Sequence, residues 1–226
     1  NFAGDFTFEC WVYWDGTSGE VINIDAGGGG GSRDFRIFFE GTKLKAVMQD
    51  VGANDYLDNA SIVSSNTWTH IAVVRSVNTL TGYANGVAMN NPITLSGSIS
   101  GTSALHIGGV GDNAYTGYMD EIRLSKTARY TSAFSGSVPS AIFTTDANTL
   151  LLIHSDTTNG STTFTDSSGV TGALGNDSAG SNHFTPTNIT SSDQMTDTPT
   201  NNFCTLNPLD EAPSYKATFS EGNLRI

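Results

Sequence analysis

Between Thr67 and Val87 the chain reads TWTHIAVVRSVNTLTGYANGV, a hydrophobic pattern of two strands and two turns. Trp68, His70, Ala72 and Val74 fall on one parity, with Thr69, Ile71, Val73 and Arg75 on the other. Both parities are largely apolar at mid-strand, which predicts a strand covered on both faces. Residues 76–78 turn the chain and 80–84 return it. Asn85 and Gly86, which both tolerate positive φ, then set a tight hairpin turn before Val87.

The pattern before this hairpin is also that of strands. Over residues 5–13, Phe6, Phe8, Cys10 and Val12 alternate with Thr7, Glu9, Trp11 and Tyr13, which predicts a strand with one face in a core. A second strand over 20–26 runs into the glycine run 27–31. No GK[ST] and no helical pattern follows that run, so it reads as a hairpin tip and not a phosphate loop. Residues 35–40 and 43–50 form a hairpin turned at Gly41 and Thr42, and 56–58 leads to a strand over 60–64.

Beyond the central hairpin, a short strand at 87–89 is broken at Asn90, Asn91 and Pro92, and 93–99 is expected to cross between sheets. Strands follow over 105–108 and 115–125, separated by a loop at 109–113, and one helical turn is expected at 126–130. Residues 149–155, TLLLIHS, are the most apolar run and are expected to form a central closing strand. About a dozen strands with turn signals every 8–12 residues and no long helix predict an all-β antiparallel two-sheet sandwich.

After Asp156 the periodicity ends. Residues 156–216 are rich in Ser, Thr, Asn and Gly with isolated apolar positions such as Phe164, Val170, Leu174, Phe184, Ile189 and Met195. Such a stretch buries little by itself and reads as an extended, mostly irregular arm or connector lying on the sandwich or a neighbouring subunit. Residues 217–226, ATFSEGNLRI, read as the start of a further β element. The organisation is therefore a sandwich over 1–155, an arm over 156–216 and a new β element from 217. The chain begins at Asn1 without Met and stops as a strand opens, as expected of a segment of a longer polypeptide.

Composition narrows the function. Charged residues are 14% of the chain and the net charge is −12, so clustered Lys and Arg for phosphate are lacking and nucleic acid is not an expected partner. No run of about twenty apolar residues suggests membrane insertion. Cys10 and Cys204 could form one disulfide or stay free, and nothing resembles a zinc ligand set. No catalytic residues emerge. The acids Glu9, Glu20, Glu40, Glu121, Glu211 and Glu221 have no same-face partner at glycosidase spacing, and strand alternation sends the adjacent Asp120 and Glu121 to opposite faces. His70, His106 and His154 fall in predicted strands and read as structural imidazoles, and His183 lies in the arm.

Three blocks in order, FTFECWVY, then WTHIAVVR with GYANG, then LHIGGVGDNAYTGYMDEIRLSKTARY, resemble the laminin-G-like and pentraxin-like group of the concanavalin A-like lectin/glucanase superfamily. The likeness spans residues 1–155 and implies a jelly-roll sandwich. It also implies Ca²⁺ at a sandwich rim, for which Asp25, Asp112, Asn113 and Asp120 are the candidate ligands. Carbohydrate recognition is a further implication, with Trp14, Tyr56 and Tyr115 as loop-proximal aromatics and Trp11 and Trp68 assigned to the core.

MDEIRLSKTARY followed by TLLLIHSDTTNGSTTFTDSSG looks like repeats of structural, tail-fibre-like proteins of aquatic phages and bacteria. That likeness implies a non-enzymatic module on a virion exterior, in a tail fibre or capsid surface. Its expected partners are other virion subunits, host surface glycans and further copies of itself. A secreted or cell-surface Ca²⁺-dependent lectin or adhesin of an aquatic bacterium is the alternative, and a glycan hydrolase, which requires a carboxyl pair in a cleft, is the third reading.

Overall fold

A computed structural model describes residues 4–25, 33–50, 53–60, 63–95, 105–109, 113–156, 158–170, 218–220 and 223–225. In order, the strands are β1 (Phe6–Trp14), β2 (Gly19–Asp25), β3 (Arg33–Glu40), β4 (Lys43–Asp50), β5 (Ala53–Ala60), β6 (Trp68–Ser76) and β7 (Thr79–Ala84). They continue with β8 (Val87–Ala88), β9 (Ile93–Thr94), β10 (Leu105–Ile107), β11 (Gly117–Ser125) and β12 (Thr149–Ile153). A last hairpin pairs β13 (Thr218–Ser220) with β14 (Asn223–Arg225).

Two antiparallel sheets form the sandwich. One runs β12-β11-β1-β6-β7-β8 with β9 on β7, and the other runs β10-β2-β3-β4-β5. The core lies between them. Phe6, Phe8, Cys10, Val12 and Trp14 of β1, with Ile71, Val73, Ile122 and Leu124, face Ile22, Ile24, Phe35, Ile37, Phe39, Leu44 and Ala46. The 6-8-10-12 alternation thus points into the core and continues to Trp14. β6 is buried at every position from Thr69 to Arg75, covered on both faces as its two apolar parities predict. Asn85 and Gly86 take φ of 46° and 72°, the geometry of a type I′ hairpin.

Several expectations are corrected. β12 is an edge strand rather than a central one. Its run is apolar because Leu151, Leu152 and Ile153 are buried on both faces, and covered faces do not imply covered edges. The edge is closed instead by a bridge from Ile153 to Asp166, where Asp166 Oδ1 accepts from Leu152 N at 2.9 Å and Leu152 O accepts from Ser167 N at 2.6 Å. The turn expected at 126–130 is irregular. Thr7 Oγ1 donates to Thr127 O at 2.8 Å and accepts from Arg129 N at 2.9 Å, so these backbone groups bond across to β1 and not along a helix. The strand expected at 60–64 is the one at Ala53–Ala60. The glycine run, the crossing after residue 95 and most of the arm lie outside the described residues.

Candidate ligand-binding surface

The outer face of the larger sheet carries the chemistry. Cross-strand register across β11, β1 and β6 sets it in rows: Tyr118–Tyr13–Trp68, then Asp120–Trp11–His70, then Arg123–Glu9–Ala72. The inner rows are roofed by the segment 126–148, and the Tyr118–Tyr13–Trp68 row stands at the open end.

Glu9 anchors the roof. It is fully buried on the side of β1 that faces away from the core. Arg123 Nε donates to its Oε1 at 2.8 Å and Tyr130 Oη donates to Oε2 at 2.7 Å. His70 Nε2 lies 3.2 Å from Oε2 and Arg129 Nε 3.7 Å from Oε1. Burial by itself would push the Glu9 carboxyl up, but the His70 hydrogen bond and the Arg123 charge outweigh it and hold the group below its ordinary range. Burial and the Glu9 charge push the Tyr130 phenol up, so it stays a donor. Arg129 also binds Asp146 at 3.0 Å and Ser125 Oγ at 2.6 Å. Above this network Tyr130 stacks on Phe134 at 3.7 Å, and Phe134 N donates to Gly86 O at 2.8 Å, which docks the roof on the hairpin turn.

Beyond the roof the rings are open. Tyr13 lies 5.7 Å from Trp68 and 5.8 Å from Tyr118, centroid to centroid, so three aromatic rings from three adjacent strands form one shelf. Tyr118 is 58% exposed, and Tyr13 and Trp68 are half-buried. The shelf depends on Gly117. At its φ of 138° a Cβ would press into Tyr13 O and the Tyr115 ring, so only glycine lets β11 meet β1 there. Behind the shelf, Trp11 packs against His70 at 5.6 Å, and Trp11 Nε1 and His70 Nδ1 are buried with no hydrogen-bond partner among the described residues. Ordered water can satisfy such atoms.

The structure redistributes the aromatics expected to contact sugar. Trp14 is 3% exposed, stacks on Phe39 at 4.5 Å and donates its indole N–H to Thr17 O, so it is a core ring. Tyr115 packs on the same Phe39 with its hydroxyl buried, and burial raises its phenol. The Tyr56 side chain lies outside what is described. Trp68, which sequence assigned to the core, lies on the shelf; Trp11, also assigned there, packs behind it on the same outer face.

Of the four expected calcium ligands, two have described side chains. Asp112 and the Asp25 side chain fall outside the described residues, Asn113 is exposed in its loop, and Asp120 is 3% exposed in the row with Trp11. Among the described residues no three His, Cys, Asp or Glu side chains gather as a metal site. The two described members, Asn113 and the buried Asp120, do not by themselves supply the roughly six to eight oxygens that a calcium ion takes.

Asp120 and Glu121 depart from strict alternation. A bulge sets two residues of β11 against Cys10, and Glu121 takes φ of 51°. Glu121 consequently reaches the roof on the same side as Asp120, accepting from Phe143 N at 2.7 Å and pairing with His154 Nδ1 at 2.9 Å. Both acids are buried, so neither meets a polysaccharide from solvent.

The Glu121 hydrogen bond, with the charges of Glu121, Asp156 and Asp120, raises His154 above its ordinary 6.5 against the opposing effect of burial. A raised imidazole stabilises the fold fully below pH 6.5, and that contribution is lost as pH rises through the folded value. Urea unfolding of the native chain should therefore show a midpoint that falls from pH 6 to pH 8. His154→Gln should flatten that fall; an unchanged slope would exclude this pair as its source.

A two-sheet antiparallel sandwich of jelly-roll type with a row of rings at the open end of one sheet defines the class of fold. The chain belongs to the concanavalin A-like lectin/glucanases superfamily, whose laminin-G-type family model matches residues 1–133. No curated protein matches it.

Among solved structures it is similar to a protein of Bacteroides ovatus ATCC 8483 provisionally named a carbohydrate binding protein. Identity is 16%, the TM-score is 0.53, and the likeness covers 73% of this chain and 49% of that one, so this chain spans about half of that protein's length. It is also similar to the heptameric SAP-like pentraxin of Limulus polyphemus, at 15% identity and TM-score 0.47, covering 61% and 71% of the two chains. A third likeness is to the CBM40 of a Ruminococcus gnavus IT-sialidase bound to alpha2,3 sialyllactose, at 11% and 0.49, covering 57% and 78%. At 16% identity what is shared with the Bacteroides ovatus protein is the fold.

Proposed function

We propose that this chain is a non-enzymatic glycan-binding adhesion module whose contact surface is the Tyr118–Tyr13–Trp68 row. The row itself carries the reading. Three neighbouring rings on a rigid sheet, tilted 60° and 58° to one another at 5.7 and 5.8 Å, offer a faceted apolar surface on which the C–H faces of sugar rings can pack while hydroxyls stay hydrated. The carbohydrate-binding name of the Bacteroides ovatus protein supports the same reading.

Display on a virion exterior, in a phage tail fibre or capsid surface beside other subunits and further copies of the chain, is the setting we favour. It is supported by the phage-like wording of MDEIRLSKTARY and TLLLIHSD. In that setting the shelf presents the particle to surface glycans of a host.

Glycan-array binding followed by calorimetry tests the proposal. Native protein should bind at least one glycan class, and Trp68→Ala should weaken that binding by about tenfold. Losing one stacking ring costs roughly 1.4 kcal/mol, near the upper end of about 0.5–1.5 kcal/mol for aromatic pairs. Full affinity in a doubly substituted Trp68→Ala, Tyr118→Ala protein would reject the shelf. Parallel runs with calcium and with a chelator report whether the Asp25, Asp112, Asn113 and Asp120 set takes part.

A further inference from the structure

Resting on the glycan reading of the shelf, we infer that its ligand is an uncharged glycan, a chain of neutral hexose or N-acetylhexosamine units, and that sialylated, sulfated and uronic acid chains are excluded. The inference comes from where the cations are. Binding an anionic sugar in a fixed pose calls for a charge-assisted donor, most effectively the fork of an arginine.

Two arginines lie on this sheet face, and both are committed. Arg123 is bound to Glu9 and lies over the Phe143 ring, and Arg129 is bound to Asp146 and Ser125. Their side chains are only 10% and 16% exposed.

The imidazoles of His70 and His154 on this face are held by Glu9 and Glu121, and the other described lysines and arginines are remote. Lys126 follows the end of β11 opposite Tyr118, about 26 Å away at ~3.3 Å per residue. Arg75 sits near the far end of β6 from Trp68, about 23 Å away on the same measure. Arg36, Lys43 and Lys45 belong to strands of the other sheet and alternate with its core residues, so they face away.

What does border the shelf is negative. Asp120 occupies the adjacent row, and Asp15 follows Trp14 directly, its N–H bonded to Thr116 O beside Gly117. The whole chain carries −12. An anionic ring stacked on Tyr13 would therefore lie in the field of these carboxylates with no uncommitted Lys or Arg nearby among the described residues to offset it, whereas neutral hydroxyls meet no such repulsion.

The experiment compares matched pairs of one oligosaccharide core, with and without a terminal sialic acid or sulfate, against native protein and Trp68→Ala. The neutral member should bind at least tenfold more tightly. Its affinity should hold between 20 and 500 mM salt, while the anionic member gains as screening removes repulsion. Anionic glycans bound equally or better, with binding still lost in Trp68→Ala, would overturn this inference and leave the glycan reading standing. Binding that ignores Trp68→Ala, or no glycan binding of either kind, would overturn the reading of the shelf and the inference with it.

Discussion

Glu9→Gln is expected to remove about 3–5 kcal/mol of folding stability, the cost of leaving buried charge without its partner. The substitution keeps size and shape, so the loss is one of charge. Arg123, 10% exposed and 2.7 Å from Oε1, would lose its carboxylate, and Arg129 would keep Asp146 as its carboxylate partner beside the hydroxyls of Ser125 and Thr149. The Tyr130 hydroxyl and the His70 ring would face a neutral amide in a dry site.

The sign with pH follows from the depressed carboxyl. A group whose folded value lies below its unfolded value stabilises above the unfolded value and loses that contribution as pH falls through the folded one. Native protein should therefore weaken as pH falls from about 5, and Glu9→Gln should have lost that component. Urea unfolding at pH 7 and pH 4 measures both effects. A change under 1 kcal/mol at pH 7 would show that the roof does not depend on this charge.

Gly117→Ala is expected to cost about 2–6 kcal/mol. Holding an L-residue at φ of 138° costs roughly 1–3 kcal/mol, and forcing a methyl into Tyr13 O and the Tyr115 ring costs roughly 1–3 kcal/mol more. The damage falls on the Tyr13–Tyr118 register, so ligand affinity should fall together with stability. Thermal unfolding combined with glycan titration reads both. A variant with native stability would mean that β11 and β1 can separate at this end without consequence.

How far such features can be read from sequence differs by element. β1 was legible because apolar residues alternate with polar and amphipathic ones over 6–13, and β6 because both of its parities are apolar at mid-strand, the pattern of a strand covered on both faces. The same alternation, extended one step from Val12, would have placed Trp14 in the core, since it shares the parity of Phe6, Phe8 and Cys10. The Tyr118–Tyr13–Trp68 row was not legible. Its members stand roughly fifty residues apart in the chain, and only the register of β11 and β6 against β1 brings them together.

Glu9 looked like an ordinary solvent-side residue because its cover comes from 126–148, whose docking is decided by Arg123, Arg129 and Tyr130 jointly. The bulge at Glu121 defeats alternation locally, and no residue in MDEIRL is a glycine that would have marked it. Much of the polar chemistry on the outer face was thus invisible until strands were paired.

The three tryptophans offer the most direct test of the glycan shelf. In an amide and indole nitrogen–proton spectrum of labelled protein, the highest-affinity glycan from the array would be titrated in while all three indole signals are followed. The account predicts that the Trp68 indole shifts most, that Trp11 behind the shelf follows weakly, and that Trp14, stacked on Phe39 inside the core, stays still. Shifts confined to the other sheet or to the loop around Asn113, with Trp68 unmoved, would contradict it.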